Sequence, residues 1–132
     1  MTFDDKTREF LTSGTRFAVL STINSDGFPQ QTVMWFDVDG EDILMNTAIG
    51  RVKDQNLRRN PKASICVEDG YSYVTVTGTI ILDEDVATAQ ADIKRLAIRY
   101  YGQEKGEASA ANFSKEQRVT LRLKVERIIS RI

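Results

Sequence analysis

The 132-residue sequence contains no histidine, and Cys66 is its only cysteine. Together these absences remove Ser-His and Cys-His nucleophile pairs, histidine-containing metal centres and disulfide frameworks. Cys66 lies in the apolar run Ala63-Ser64-Ile65-Cys66-Val67, the setting of a small core or interface residue rather than a reactive thiol, and a reducing interior suits it. Charge of either sign is also not in excess: 18 Lys and Arg stand against 19 Asp and Glu, a net charge of -1. A globally basic nucleic-acid binder and an acidic tail-type protein are both excluded as expectations, so any electrostatic function must be local. The opening residues Met1 to Lys6 hold no apolar signal core, and nowhere do about eighteen uncharged apolar residues run together. A soluble, cytoplasmic protein with no membrane and no nucleic-acid partner is expected.

What is present reads as one domain over residues 1–132, long enough to bury about two-thirds of its unfolded surface. Asp4 or Asp5 can cap a first helix that carries Phe10 and Leu11 and stops near Ser13-Gly14. Arg16 to Asn24 and Gln30 to Val38 read as two strands joined by the turn Ser25-Asp26-Gly27, with Asp39-Gly40 turning the chain again. Val33-Met34-Trp35-Phe36 lacks polar alternation and implies burial on both faces, by a helix, a partner chain or a ligand. Ile43 to Met45 is a short strand, Arg51 to Arg59 a short helix ended by Asn60-Pro61, and Ala63 to Glu68 another strand.

Tyr71 to Asp83 has a two-residue period, with Val74, Val76, Ile80 and Leu82 on the core face and Gly78 marking a bulge. Asp85 to Tyr101 switches to helical spacing with Gly102 as its stop. Gln103 to Phe113, rich in Ala, Ser, Glu and Gly, is read as a mobile loop. Leu121, Leu123 and Val125 then alternate with polar residues in a closing strand from Val119. The expected fold is mainly β: about six antiparallel strands in a small barrel with flanking helices, one plugging an end. Neither GxGxxG nor GxxxxGKS/T occurs, which excludes the common dinucleotide and P-loop motifs.

Arg51 to Lys62 holds five cations against one anion. Arg51 and Lys53 fall in the first turn of the short helix, where each cation is disfavoured by roughly 0.3 to 1 kcal/mol unless an anion joins it. Unpaired N–H groups, the positive dipole end, a guanidinium fork and an ammonium together would form a phosphate clamp. The competing reading is a solvated basic helix start with Asp54 as partner.

Asp26-Gly27-Phe28-Pro29, Thr32-Val33-Met34-Trp35-Phe36, Asn46-Thr47, Gly50-Arg51-Val52-Lys53 and Asn56-Leu57-Arg58-Arg59-Asn60-Pro61 together resemble the pyridoxamine 5'-phosphate oxidase-related FMN-binding split β-barrel family, and within it the flavin/deazaflavin oxidoreductase B group. The resemblance runs over nearly the whole chain. It implies a six-stranded antiparallel split barrel forming a homodimer, with cofactor sites at the subunit interface. By the same resemblance Arg51 and Lys53 would hold the cofactor phosphate, and Thr32, Val33, Met34 and Trp35 would run beside the ring. Asn46, Thr47 and Asn56 would support the ribityl and phosphate region, and Tyr73 would come from the other subunit.

The chemistry implied is hydride transfer from a reduced ring to a small organic acceptor such as a quinone, tetrapyrrole or enone, with no catalytic acid or base among the side chains. Pyridoxamine phosphate oxidation itself is not expected: Arg122-Leu123-Lys124 stands where that enzyme carries an Arg-x-His element. The Gly-Arg-x-Lys and Asn-Leu-Arg-Arg spacing is similar to that of users of coenzyme F-420, a deazaflavin whose acidic tail would give Arg58, Arg59 or Lys62 a role. FMN is the alternative cofactor, and a non-catalytic flavin-binding protein the alternative function.

Overall fold

A computed structural model describes residues 2–132. Helix α1 (Asp5–Thr12) starts where Asp4 accepts a 2.7 Å hydrogen bond from the Thr7 N–H, satisfying one of the helix's open donors. Strands β1 (Ala18–Ile23) and β2 (Pro29–Met34) form the expected hairpin, and Gly27 at φ 90° supplies the left-handed turn residue. There follow β3 (Asp37–Asp39), β4 (Asp42–Ala48), α2 (Val52–Arg59), β5 (Lys62–Asp69), β6 (Ser72–Asp83), α3 (Val86–Tyr101), α4 (Gln103–Phe113) and β7 (Arg118–Arg131).

The sheet is fully antiparallel in the order β2-β1-β5-β6-β7-β4-β3. Its two outermost strands are consecutive in sequence, separated only by Trp35 and Phe36. Laid flat, seven strands would hold those edges about 29 Å apart, whereas three residue steps reach at most about 11 Å. The sheet must therefore roll into a barrel that is split where β2 passes into β3. Strands number seven rather than six: the single strand expected over Gln30 to Val38 breaks at this split into β2 and β3.

Breaking the ladder strands backbone groups, and the C-terminal end of α3 satisfies them. The Phe36 N–H donates to the Tyr100 hydroxyl at 3.2 Å, and the Phe36 carbonyl accepts from the Arg99 guanidinium. Tyr100 donates in turn to the Arg16 carbonyl at 2.6 Å. Its ring stacks on Phe17 at 5.3 Å and on Trp35 at 5.4 Å. The split is thus held by an aromatic and guanidinium plug on one helix.

Inside the barrel pack Leu20, Phe36, Ile43, Ile65, Val76 and Leu121, with Leu11 of α1 and Leu57 of α2 closing on them. β4 is buried on both faces because its outward side is covered by the stripe Ala89, Ile93, Leu96 and Ala97 of α3. β6 keeps its expected alternation. The register slips between Thr77 and Gly78, where a Cβ on the glycine would stand 1.9 Å from the Lys124 carbonyl oxygen. The expected loop over Gln103 to Phe113 is a helix instead. Its docking point is Gly106, whose missing side chain lets α4 approach the Ile98 backbone; a Cβ there would fall 2.5 Å from Ile98 Cα. Within the single chain Val33 is 68% exposed, so of the run Val33 to Phe36 its first residue is left for a partner chain or a ligand to cover.

Candidate functional site

Helix α2 opens without a capping side chain. Its N-cap residue is Arg51, which cannot accept from the first-turn N–H groups, whereas α1 and α3 are capped by Asp4 and Asp85. Arg51 therefore stands just before the helix rather than within its first turn. Gly50, at φ 95°, makes the turn from β4. Asp54 is buried but is not the partner of either clamp cation. It accepts from the Gly50 N–H at 2.7 Å and from Arg58 Nε at 2.9 Å, so it fastens the turn and the helix's far end.

Lys53 is only 7% exposed, and among the described residues no carboxylate lies within 4.0 Å of its ammonium and no hydrogen bond reaches it. Burial, then Arg51, then Arg118 push its pKa below the ordinary lysine value. Arg118 is the third member of the group. It opens β7 and pairs in register with Ala48, which puts its side chain on the same outward face as Asn46. Asn46 accepts from Arg118 Nε at 2.9 Å and donates to the Ala89 carbonyl at 2.9 Å, so α3, β4 and β7 are tied together at the clamp. Burial lowers the Arg118 pKa and repulsion from Arg51 adds to that, while Glu116 pulls it back up. The Arg118 guanidinium also lies 4.8 Å from the Phe113 ring centre.

A cleft of about 210 Å³ runs from these cations to the barrel's split, with Val33, Met34, Trp35, Asn46, Arg51 and Arg118 in its wall. Trp35 is packed edge-on against Tyr101 at 5.0 Å and Phe113 at 6.2 Å. A larger cavity of about 540 Å³ lies on the other side of Arg118, bounded by the N-terminal end of α3 and the segment between α4 and β7.

The structure thus brings together Val33, Met34, Trp35, Asn46 and Arg51 of the expected set, with Lys53 in electrostatic reach. Thr32 and Thr47 alternate with Val33 and Asn46 and face the barrel interior, where both hydroxyl oxygens are buried without a hydrogen-bond partner. Thr32 is not in the wall of the cleft, although its strand β2 is an edge of the sheet. Asn56 donates to Thr22 at 3.1 Å and to Asn24 at 2.9 Å, and accepts from Arg59 at 2.8 Å, which makes it a fastener of α2.

Tyr73 is not part of this cluster: it pairs with Arg131 at the far end of β7, roughly 40 Å along the strand from Val119, the partner of Thr47. Arg58 is committed to Asp54 and Glu84, and Arg59 to Asn56 and the Ile23 carbonyl. Lys62 is exposed and lies after the helix. Arg118 and Phe113 were missed by sequence reading, because only the β4–β7 register and the docking of α4 bring them beside Arg51.

The unpaired ammonium of a mostly buried lysine, beside two guanidiniums at an uncapped helix start, is a donor set suited to a phosphate. The model for the family described as pyridoxamine 5'-phosphate oxidase matches residues 3–131. The chain belongs to the pyridoxamine 5'-phosphate oxidase family. Among solved structures of this fold, the conserved hypothetical protein Rv2991 from Mycobacterium tuberculosis is 27% identical with a TM-score of 0.82, over 97% of this chain and 83% of that one. A structure titled F420 Reductase is 28% identical with a TM-score of 0.75, over 92% and 94%. General Stress Protein 26 from Bacillus anthracis, at 17% identity and a TM-score of 0.64 over 92% and 90%, shares the fold. The family's split barrel is the architecture derived above, and no described helix is long and apolar enough to cross a membrane.

Proposed function

We propose that this protein is an oxidoreductase that binds a reduced deazaflavin, coenzyme F-420, and passes hydride from it to a small organic acceptor such as a quinone, tetrapyrrole or enone. The observation that carries the reading is Lys53: a mostly buried lysine with two guanidinium neighbours and no carboxylate of its own is disfavoured until an external anion joins it. In this reading Arg51, Lys53, Arg118 and the first N–H groups of α2 hold the phosphate. Asn46 fixes the Arg118 fork, and the free edge of β2 from Thr32 to Trp35 lies along the ring. Such a ring supplies the hydride chemistry when bound. The chain's part is to orient it, to exclude water with Trp35, Tyr101 and Phe113, and to hold the anion; no side chain is assigned a proton-transfer role.

Likeness to a structure titled F420 Reductase supports the deazaflavin over FMN. The homodimer belongs to the same proposal. Phe28 and Val33 leave apolar surface on the β1–β2 edge at 71% and 68% exposure, and only a second chain could deliver Tyr73 to the cleft. Side-by-side equilibrium titration with coenzyme F-420 and FMN tests the reading. Micromolar binding of F-420, lost in Arg51→Ala and Lys53→Ala, is expected. Unchanged affinity in both variants refutes the clamp, release of FMN from a yellow purified protein moves the assignment to FMN, and tight binding without turnover across the acceptor classes makes the protein a carrier or sensor.

A further inference from the structure

Three cations converge at the start of α2, and one carboxylate reaches them. Glu116 accepts from Arg118 Nη1 at 3.1 Å, and its other oxygen stands 3.9 Å from Arg51 Nη2. It does not reach Lys53. The Arg118 side chain is 5% exposed, so its guanidinium is favoured by an anionic partner, whereas the Glu116 side chain is 39% exposed and also borders the 540 Å³ cavity.

The backbone under Glu116 is pinned independently of its carboxylate. Its N–H donates to the Phe113 carbonyl at 3.0 Å, its carbonyl accepts from Gln90 at 3.1 Å, and the Gln117 carbonyl accepts from the Ile49 N–H at 2.8 Å. The carboxylate can therefore rotate off the guanidiniums, into the cavity it already borders, without the segment moving.

We propose that Glu116 is a resident counter-anion of the clamp, displaced by the ligand's anionic group, and that this exchange lowers the affinity of every anion the site takes. The inference rests on the anion-clamp reading above. An incoming group must replace one carboxylate on Arg118 and Arg51, and it gains over Glu116 by reaching Lys53 as well. A phosphate, with three acceptor oxygens, can meet all three cations, while a single carboxylate only restores what Glu116 already provided. Only an anion that gains more than Glu116 provides displaces it, and the carboxylate neutralises the Arg118 guanidinium while the site is free.

The test is equilibrium titration of wild type, Glu116→Gln and Glu116→Ala with coenzyme F-420 and FMN, each compared with its phosphate-free riboside or riboflavin. Removing a competing charge some 4 Å from the anion should tighten the phosphorylated compounds roughly tenfold at low salt, with the gain shrinking as salt rises. The phosphate-free compounds should be unaffected. An equal change in both kinds of compound, no change, or weaker phosphate binding overturns the proposal. Lys53→Met separates the two readings. If it leaves the preference for phosphorylated compounds intact, the clamp itself is wrong. If it abolishes that preference while both Glu116 variants behave as wild type, only the exchange falls. Failure of every compound to bind any variant overturns both.

Discussion

Replacing Lys53 by methionine should make the ligand-free protein more stable while removing its anion site. A cation at a helix start costs about 0.3 to 1 kcal/mol, and the neighbouring guanidiniums together with burial at 7% exposure bring the expected penalty to about 1–2 kcal/mol. For a domain of this length that is a rise in Tm of about 3 to 8 °C. The ammonium is held below the ordinary value of 10.5, first by burial and then by Arg51 and Arg118. The folded protein therefore binds this proton less tightly than the unfolded chain does. The penalty is complete below the folded pKa and fades as pH rises toward 10.5, so the advantage of the variant should shrink as the buffer is made more alkaline.

Thermal unfolding followed by the fluorescence of Trp35, the only tryptophan, supplies the measurement. Inorganic phosphate should reverse the ranking, since at a hundred times its Kd it stabilises wild type by about 2.7 kcal/mol and should leave Lys53→Met unmoved. A variant that melts at or below the wild-type temperature without phosphate, and that still responds to phosphate, would refute the argument that this ammonium is an unsatisfied charge awaiting an anion.

Asp54→Ala removes the acceptor of both the Gly50 N–H and Arg58, leaving a buried donor and a loosened helix, and should cost about 2 to 4 kcal/mol in urea unfolding. Tyr100→Phe deletes the hydroxyl that bridges the Phe36 N–H and the Arg16 carbonyl at the split. A loss of about 1 to 3 kcal/mol is expected, with a shifted Trp35 emission because the stacked ring is no longer tethered. Gly78→Ala places a methyl 1.9 Å from a backbone oxygen of β7, and circular dichroism should show a domain destabilised by more than about 3 kcal/mol.

Much of the fold was legible because its signals are local. The hairpin at Asp26-Gly27, the alternation of β6, the stripe of α3 and the short helix after Gly50 each depend on residues within a few positions of one another. The Gln103–Phe113 helix was not legible, since its composition carries no apolar stripe and the element is held by a glycine pressed on Ile98, a contact that spacing cannot reveal. The break of one expected strand into β2 and β3 was hidden for a related reason: apolar residues continue through it, and only barrel closure shows where the ladder must part.

Sequence alone determined that two cations stand beside a helix start and that no histidine or disulfide chemistry is available. Tertiary structure decided which of those cations is buried, turned Asp54 away to Arg58, and brought Arg118 and Glu116 from the far end of the chain to complete the group. The physical reason lies in register. Charge and helix position follow from neighbours in sequence, whereas the pairing of Ala48 with Arg118 is set by how β4 meets β7 in a closed sheet, and that pairing governs which ions share a low-dielectric space.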